Sequence, residues 1–597
     1  MSCILCLFFV SHLLKFSLSR AVCTNSTASG IPSEIDDPLK FCSYNGKACC
    51  DISEEAWIKI QIQELNATDP KCASYLNSIL CNTSDDQFSA EFFNNEQTLL
   101  PKGLCLEKIG NGSYVTMVPH PDGSNRAFYA NVQGKIWMAK VPVEGSNEML
   151  KIDESKTFLD ISDYILYDSE HGLVGIAFHP NFAQNGRFFL SYNCDQMKNP
   201  ACTGRCACNS DVNCDPSKLG SDHGILPCQY HSVVAEFTVN GTSSKPSLAV
   251  SANPYEVRRI FSIGVPYSGG HAGQILFGPE DGYLYLMMSD GSNLDDPYNF
   301  AQNKRSLLGK ILRIDVDNIP SSKEISGMNL WGNYSVPKDN PYLDDKELEP
   351  EIWAIGFKNA WRCSFDSQRP SYFLCGDAGQ DKYEEIDVIK KGKNYGWRVY
   401  EGPFIFHPSE SPGGNTSTSS IHPIFPVMGY NHSEIDNESG SASIVGGYFY
   451  RAMTDPCLYG RYLYTDMYSG SVLVGTESSE NSGKFTSVKI PSRCAHDSPM
   501  SCSFVQGSAT PSLGYVYSLA EDNNKDIYYL TTTGVYRVSR PSRCNYLCTK
   551  EKVVSVENKK PHSSSPLREV IDLHLLFLVF TIQFNFLKLV SQANLTT

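Results

Sequence analysis

One histidine in this chain is framed by glycines in a way that suits chemistry. The stretch SGGHAGQILFGPEDGYLYLMMSDG, over 268–291, sets His271 between Gly270 and Gly273, just ahead of an apolar run. Glycines let backbone approach a ligand closely. An imidazole with a pKa near neutrality can take a proton from a hydroxyl. Asp290, past the apolar run, is the acid in range to orient that imidazole. The same residues also read as a turn capped by a structural histidine. A second concentration of polar groups covers EIWAIGFKNAWRCSFD (351–366) and CGDAGQDKYEEIDVIKKGKNYGWRVYEG (375–402). Its turn of carboxylates and carbonyls matches the all-oxygen coordination that Ca²⁺ prefers, and equally reads as a solvated acidic loop. Six cysteines, Cys194, Cys202, Cys206, Cys208, Cys214 and Cys228, lie near His223 and His231, ligand types that could hold zinc. In an oxidising compartment a disulfide-knotted surface loop is the stronger reading.

Residues so far apart in sequence need a rigid frame to meet. A turn of Pro, Gly, Asp or Asn leading into a Tyr/Phe/Leu-rich strand recurs six times between His120 and Val538. The copies are HPDGSNRAFYA from His120, HPNFAQNGRFFLSY from His179, GPEDGYLYLMMSDG from Gly278, DSQRPSYFLCGDAG from Asp366, DPCLYGRYLYTD from Asp455 and EDNNKDIYYLTT from Glu521. The intervals leave room for one four-stranded sheet per copy. Repeated small sheets protect their edges by closing into a circle. The expected fold is all-β, a six-bladed propeller.

The chain has 597 residues, 41% hydrophobic and 11% aromatic, enough for a large core. Its net charge of −15 argues against nucleic acid as a partner, which would demand a basic face. The apolar run ILCLFFVSHLL (4–14), with Ser17, Ser19 and Ala21 after it, predicts a secretory signal over 1–20. At the other end, an apolar stretch over 573–590, interrupted by Lys588, lies behind a polar spacer and Ser563, Ser564 and Ser565. That order matches a GPI-attachment signal, with Ser564 as the expected site and 566–597 as the removed propeptide. A membrane span is the competing reading, but no Lys/Arg cluster lies beyond it to act as a stop. Of 22 cysteines, Cys3 and Cys6 would leave with the signal, so an even 20 remain, as a disulfide framework requires. Glycosylation sequons stand at Asn25, Asn66, Asn82, Asn111, Asn240, Asn333, Asn415, Asn431 and Asn437. The expected location is the extracellular face of the cell membrane.

Segment 21–110 has a character unlike the repeats. It carries seven cysteines, and EEAWIKIQIQEL and ASYLNSILC have helical apolar spacing, which predicts a small disulfide-stapled helical module. An odd count requires one of the seven to pair outside. The propeller is expected over 111–540, and a Ser/Pro/Lys-rich stalk over 541–565.

GGHAGQILFGPEDGYLY, LLGKILRIDVD, AIGFKNAWRCSFD and DAGQDKYEEIDVIKKGKNYGW resemble the soluble glucose/sorbosone dehydrogenases that use pyrroloquinoline quinone (PQQ). The likeness covers most of 114–538. FCSYNGKACC resembles folate-receptor-type cysteine-rich domains, and the order of module, propeller and lipid tail is similar to the plant hedgehog-interacting-protein-like family. The resemblance implies a six-bladed propeller with its site at the channel mouth and an oxidoreductase acting on CH–OH groups of sugars or polyols. It implies His271 as base, Asp290 as its orienting acid, Lys358 as the charge beside the quinone, and Asn359 as a further cofactor contact. It also implies that Gly379 and Gln380 offer carbonyls to Ca²⁺. Lys358 stands where the bacterial enzymes have arginine, keeping the charge but losing the planar fork. The last blades depart further: Tyr468 falls where the family has a lysine, and Gly514 and Val516 where it has arginines that anchor the cofactor's carboxylates. Each charge-assisted hydrogen bond is worth ~1.5–3 kcal/mol, so compensation would have to come from Arg362, Arg398, Arg451 or another cation. The alternative function is an inactive propeller that binds an extracellular protein or glycan, using surface loops such as 194–228.

Overall fold

Each copy of the repeated phrase becomes the second strand of a sheet of four or five strands, antiparallel except for the outermost strand of the two five-stranded sheets. The six are Arg126–Ala130, Arg187–Asp195, Leu284–Met288, Phe373–Asp377, Tyr462–Asp466 and Ile527–Thr531. Paired on both edges and covered on both faces, these strands are apolar nearly throughout, as LYLMM and IYYLT show, and not alternating. The computed structural model describes residues 101–551, apart from 241–244, 293, 436–440 and 509, together with one antiparallel pairing of Ser33–Glu34 with Lys47–Ala48. The secretory signal, most of the cysteine-rich module, the GPI signal with Ser564, and the sequons at Asn25, Asn66, Asn82 and Asn437 lie outside the described residues.

The first strand of each sheet is the innermost: Thr116–Pro119, Leu173–Phe178, Ala272–Phe277, Ala360–Phe365, Ile444–Phe449 and Val516–Glu521. These touch one another in that order, and the last touches the first. The sheets therefore close into a six-bladed β-propeller around a central channel. In blades two to six the inner strand slips against the second strand near its start, as between Ala272 and Ile275. Such bulges re-aim side chains at a rim, and here they mark one face of the ring.

The ring is closed by the chain's own beginning. Leu104–Gly110 is the strand next to Gly534–Val538 in the last blade, antiparallel to it. The propeller therefore starts before the expected boundary at 110. Cys105, which the sequence groups with the cysteine-rich module, is in this strand and bonds Cys544, 439 residues away. The turn Pro541–Cys544 packs on the same strand, and Cys548 bonds Cys457, so 541–551 belongs to the propeller and not to the stalk. Glu107, fully buried on the closing strand, receives the Arg537 Nε–H at 2.8 Å and is also paired with Arg543. Arg543 reaches on to Asp497 (2.8 Å) and Glu144 (3.0 Å).

The cysteine-rich insertion of blade two is knotted by Cys194–Cys202, Cys206–Cys228 and Cys208–Cys214, which leaves no thiolate there for zinc. Among the described residues no helix is long and apolar enough to cross a membrane.

A cross-link that spans so much chain restricts the unfolded state strongly. Replacing Cys105 and Cys544 together with serine should lower the unfolding free energy by ~2–5 kcal/mol, read from urea denaturation. An unchanged midpoint would show that strand pairing and the Glu107 ion pairs close the ring unaided.

Candidate functional site

Inner strands begin, and second strands end, on the same face of an antiparallel blade. That face collects the chemistry. His271 immediately precedes the inner strand of blade three, and Lys358 and Asn359 precede that of blade four. Asp290 lies just past the second strand of blade three, while Gly379 and Gln380 lie just past that of blade four. Gly270 turns the chain into place with φ +68°, and a Cβ there would lie 2.4 Å from the Ser292 nitrogen.

The His271 ring donates from Nε2 to the Ser268 carbonyl at 2.9 Å, and its Nδ1 is buried without a partner. Burial, reinforced by the neighbouring His171, pushes His271 down to about 3, so the imidazole is neutral at physiological pH. His171 lies edge-on at 4.0 Å between ring centroids. Its Nδ1 sits 2.7 and 2.8 Å from the Asp168 oxygens, and its Nε2 3.0 Å from the same Ser268 carbonyl. Ser268 is pinned in turn by Asp222 at 2.8 and 2.7 Å.

The expected partnership of His271 with Asp290 is not what the structure builds. Asp290 takes the Trp397 indole N–H at 2.9 Å and both donors of Ser292 at 3.0 Å. Burial raises its pKa and the Lys358 charge opposes the rise. Backbone, and behind it the Asp168–His171 pair, orients the imidazole instead. The sequence reading missed that pair, although EHGLVG and GGHAGQ place a histidine at the start of the inner strand in adjacent blades.

Lys358 and Asn359 are held through their backbone. Asp377 accepts their N–H groups at 3.0 and 2.5 Å, and the Lys358 carbonyl accepts the Asp290 N–H at 2.8 Å. Neither the Lys358 ammonium nor the Asn359 amide side chain has a hydrogen-bond partner among the described residues, so both are available to a ligand. The turn after Asp377 wraps a single carboxylate oxygen. Glu401 Oε1 accepts N–H groups from Gln380 (2.7 Å), Asp381 (2.7 Å), Lys382 (2.9 Å) and Tyr383 (3.3 Å). Gly379 is required because a Cβ would sit 2.0 Å from the Tyr383 carbonyl. The carbonyls of Gly379 and Gln380 accept no hydrogen bond among the described residues. Beneath them Asp377, Glu385 and Asp387, all buried, bring carboxylate atoms within 4.8 Å of one another, and both Asp387 oxygens lack partners. Burial raises the pKa of all three carboxyl groups.

Tyr468, Gly514 and Val516 stand where the resemblance would place cofactor-anchoring cations. Tyr468, 48% exposed, packs edge-on against Tyr515, and burial of its inner half, with Asp466 and Glu384 nearby, raises its phenol pKa. Gly514 has φ +66°, and a Cβ would meet the Thr532 hydroxyl at 2.1 Å. Val516 is fully buried between blades. The candidate compensating cations are already engaged. Arg451 is paired with Asp366, Arg398 is hydrogen-bonded to the Gly414 and Asp295 carbonyls, and Arg362 spans the channel to the carbonyls of Val174 and Val115. Of the residues the resemblance assigns to the cofactor, only Lys358 carries a positive charge, which does not fit a cofactor carrying three carboxylates.

The family described as Glucose / Sorbosone dehydrogenase matches residues 251–426. Blade order and this match define the class: a propeller of the sugar-dehydrogenase superfamily. The HIPL1 protein of Arabidopsis thaliana is 51% identical over 93% of both chains. The mouse Hedgehog-interacting protein is 25% identical over 61% of this chain and 42% of its own. The soluble aldose sugar dehydrogenase of Escherichia coli, in its apo form, superposes with a TM-score of 0.47 at 16% identity, covering 73% of this chain and 98% of that one. Identity at the HIPL1 level across nearly the whole of both chains means that this protein belongs to the HIPL family.

In the unfolded chain His271 would take a proton below about pH 6.5, whereas the native site holds it neutral down to about 3. The unfolded state therefore binds more protons across that window, so stability present at neutral pH is lost as pH falls through it. His271→Gln should show a shallower fall in melting temperature between pH 7 and pH 4 than the native protein. Identical slopes would contradict a buried, neutral imidazole.

Proposed function

We propose that the protein works outside the cell as a ligand-binding propeller, engaging a hydroxyl-rich ligand, a sugar or glycan, at the face that carries His271. The observation that carries this reading is that no cation stands at Tyr468, Gly514 or Val516, where the family resemblance would put the cofactor's anchoring charges, while Arg362, Arg398 and Arg451 are already engaged. What remains suits hydroxyls. Tyr468 and Tyr515, each about half exposed, offer flat rings with polar tips, and Lys358 offers donors. Seven disulfides among the described residues support an oxidising compartment. So do the sequons at exposed Asn111, Asn240 and Asn415 and half-buried Asn333 and Asn431, which we propose are glycosylated. A secretory leader and a GPI anchor near Ser564 complete the proposed extracellular placement.

A second reading, a PQQ-type sugar oxidoreductase with Ca²⁺ near Gly379 and Gln380, is favoured by one observation. His271 keeps an unprotonated ring nitrogen with no partner, the state a general base needs, and Lys358 stands at the same face of the ring.

Titrating the purified extracellular protein with PQQ and Ca²⁺ separates the two. The binding reading expects no saturable quinone binding up to ~100 µM, since two to three lost charge-assisted contacts cost roughly 3–9 kcal/mol. It also expects glycan-array signals that fall at least tenfold in Tyr468→Ala. Micromolar quinone binding, with dye reduction by aldoses that disappears in His271→Ala, would establish the enzyme instead.

A further inference from the structure

A buried arginine closes the middle of the channel without an anion beside it. Arg362, on the inner strand of blade four, is 7% exposed. Its Nη1 donates to the Val174 carbonyl of blade two at 2.6 Å, and its Nη2 to the Val115 carbonyl ahead of blade one at 3.2 Å. One guanidinium therefore ties three blades together at the height where the inner strands begin. Burial pushes it down to about 10, so it remains charged at neutral pH. No carboxylate lies within ion-pair distance among the described residues, and the Nε–H has no partner.

On the side away from His271, the later halves of the inner strands enclose a cavity of about 370 Å³. Volumes of this size hold small organic ligands. Arg362 lines it together with Tyr448, while Val118, Phe178, Leu276 and Phe365 form apolar walls. Its single lining carboxylate, Glu521, is engaged by Lys525 at 2.8 Å.

A buried charge without a counter-ion is costly, and a carboxylate on a guanidinium edge is among the strongest ways to relieve it. We propose that this cavity is a second binding site, taking a small organic acid whose carboxylate meets the Arg362 Nε–H and whose flat apolar body lies between Val118, Phe178 and Phe365. The site opens on the opposite face from His271 and depends on neither reading of that face.

Calorimetric titration of the full extracellular protein with 2-naphthoate and with its uncharged counterpart, 2-naphthylmethanol, tests the assignment. The acid should bind at least about tenfold more tightly than the alcohol, the minimum worth of one charge-assisted hydrogen bond. Arg362→Met should abolish that preference. Leu276→Trp, which fills the cavity and leaves the guanidinium in place, should remove binding of both compounds and serves if Arg362→Met fails to fold. Equal binding of acid and alcohol by the native protein, no naphthoate binding at millimolar concentration, or undiminished binding to Leu276→Trp would each overturn the proposal.

Discussion

Everything at the channel mouth depends on one non-local pairing, the strand Leu104–Gly110 completing the blade built from the other end of the chain. An open ring of six sheets would expose an unpaired edge in the last blade and leave blades free to hinge. Bringing residues more than four hundred positions apart together costs chain entropy that only the finished interface can repay. The protein places a disulfide, an antiparallel ladder and a buried carboxylate between two guanidiniums at that seam. Glu107 shows why the seam is all-or-none: with either arginine removed, a fully buried charge would lose part of its compensation.

With the ring closed, geometry at the mouth is fixed by backbone more than by side chains. Asp377 and Glu401 spend their carboxylates on N–H groups, of Lys358 and Asn359 in one case and of the Gln380–Tyr383 turn in the other. That use of charge stiffens two loops and leaves the Lys358 ammonium unclaimed. The mouth that results is electrostatically unlike a receptor for a polyanion. Lys358, a neutral imidazole and two tyrosines stand there, and the buried carboxylates of Asp466 and Glu384, with Glu170, act on the Tyr468 phenol. Arg362 is the exception, a full positive charge kept below the mouth and turned to holding blades one, two and four in register.

The blades were legible because the second strand of each is buried on both faces, so its aromatic run after a turn survives in the sequence six times. His271, Lys358 and the Gly379 turn were legible because glycines and charges cluster where a loop must pass close to other backbone. The closing strand was not, since LCLEKIG sits among cysteines, carries two charges, and has its partner at the far end of the chain. Glu107 looks solvated in sequence, and only its two arginines explain its burial. The Asp168–His171 pair was not legible, because its meaning comes from a ring packed on it from the next blade. Asp290 was given the wrong neighbour for a related reason: an indole 107 positions later takes its carboxylate.

If the mouth is short of positive charge, and not of space, quinone affinity should rise when cations are introduced there. The direct measurement is the PQQ affinity of the native protein compared with a Tyr468→Lys/Tyr515→Arg double variant by equilibrium dialysis at fixed ionic strength. Two added charge-assisted contacts should tighten binding by about 10²–10⁴-fold. An affinity that does not change when the charges are added would contradict a mouth limited by positive charge.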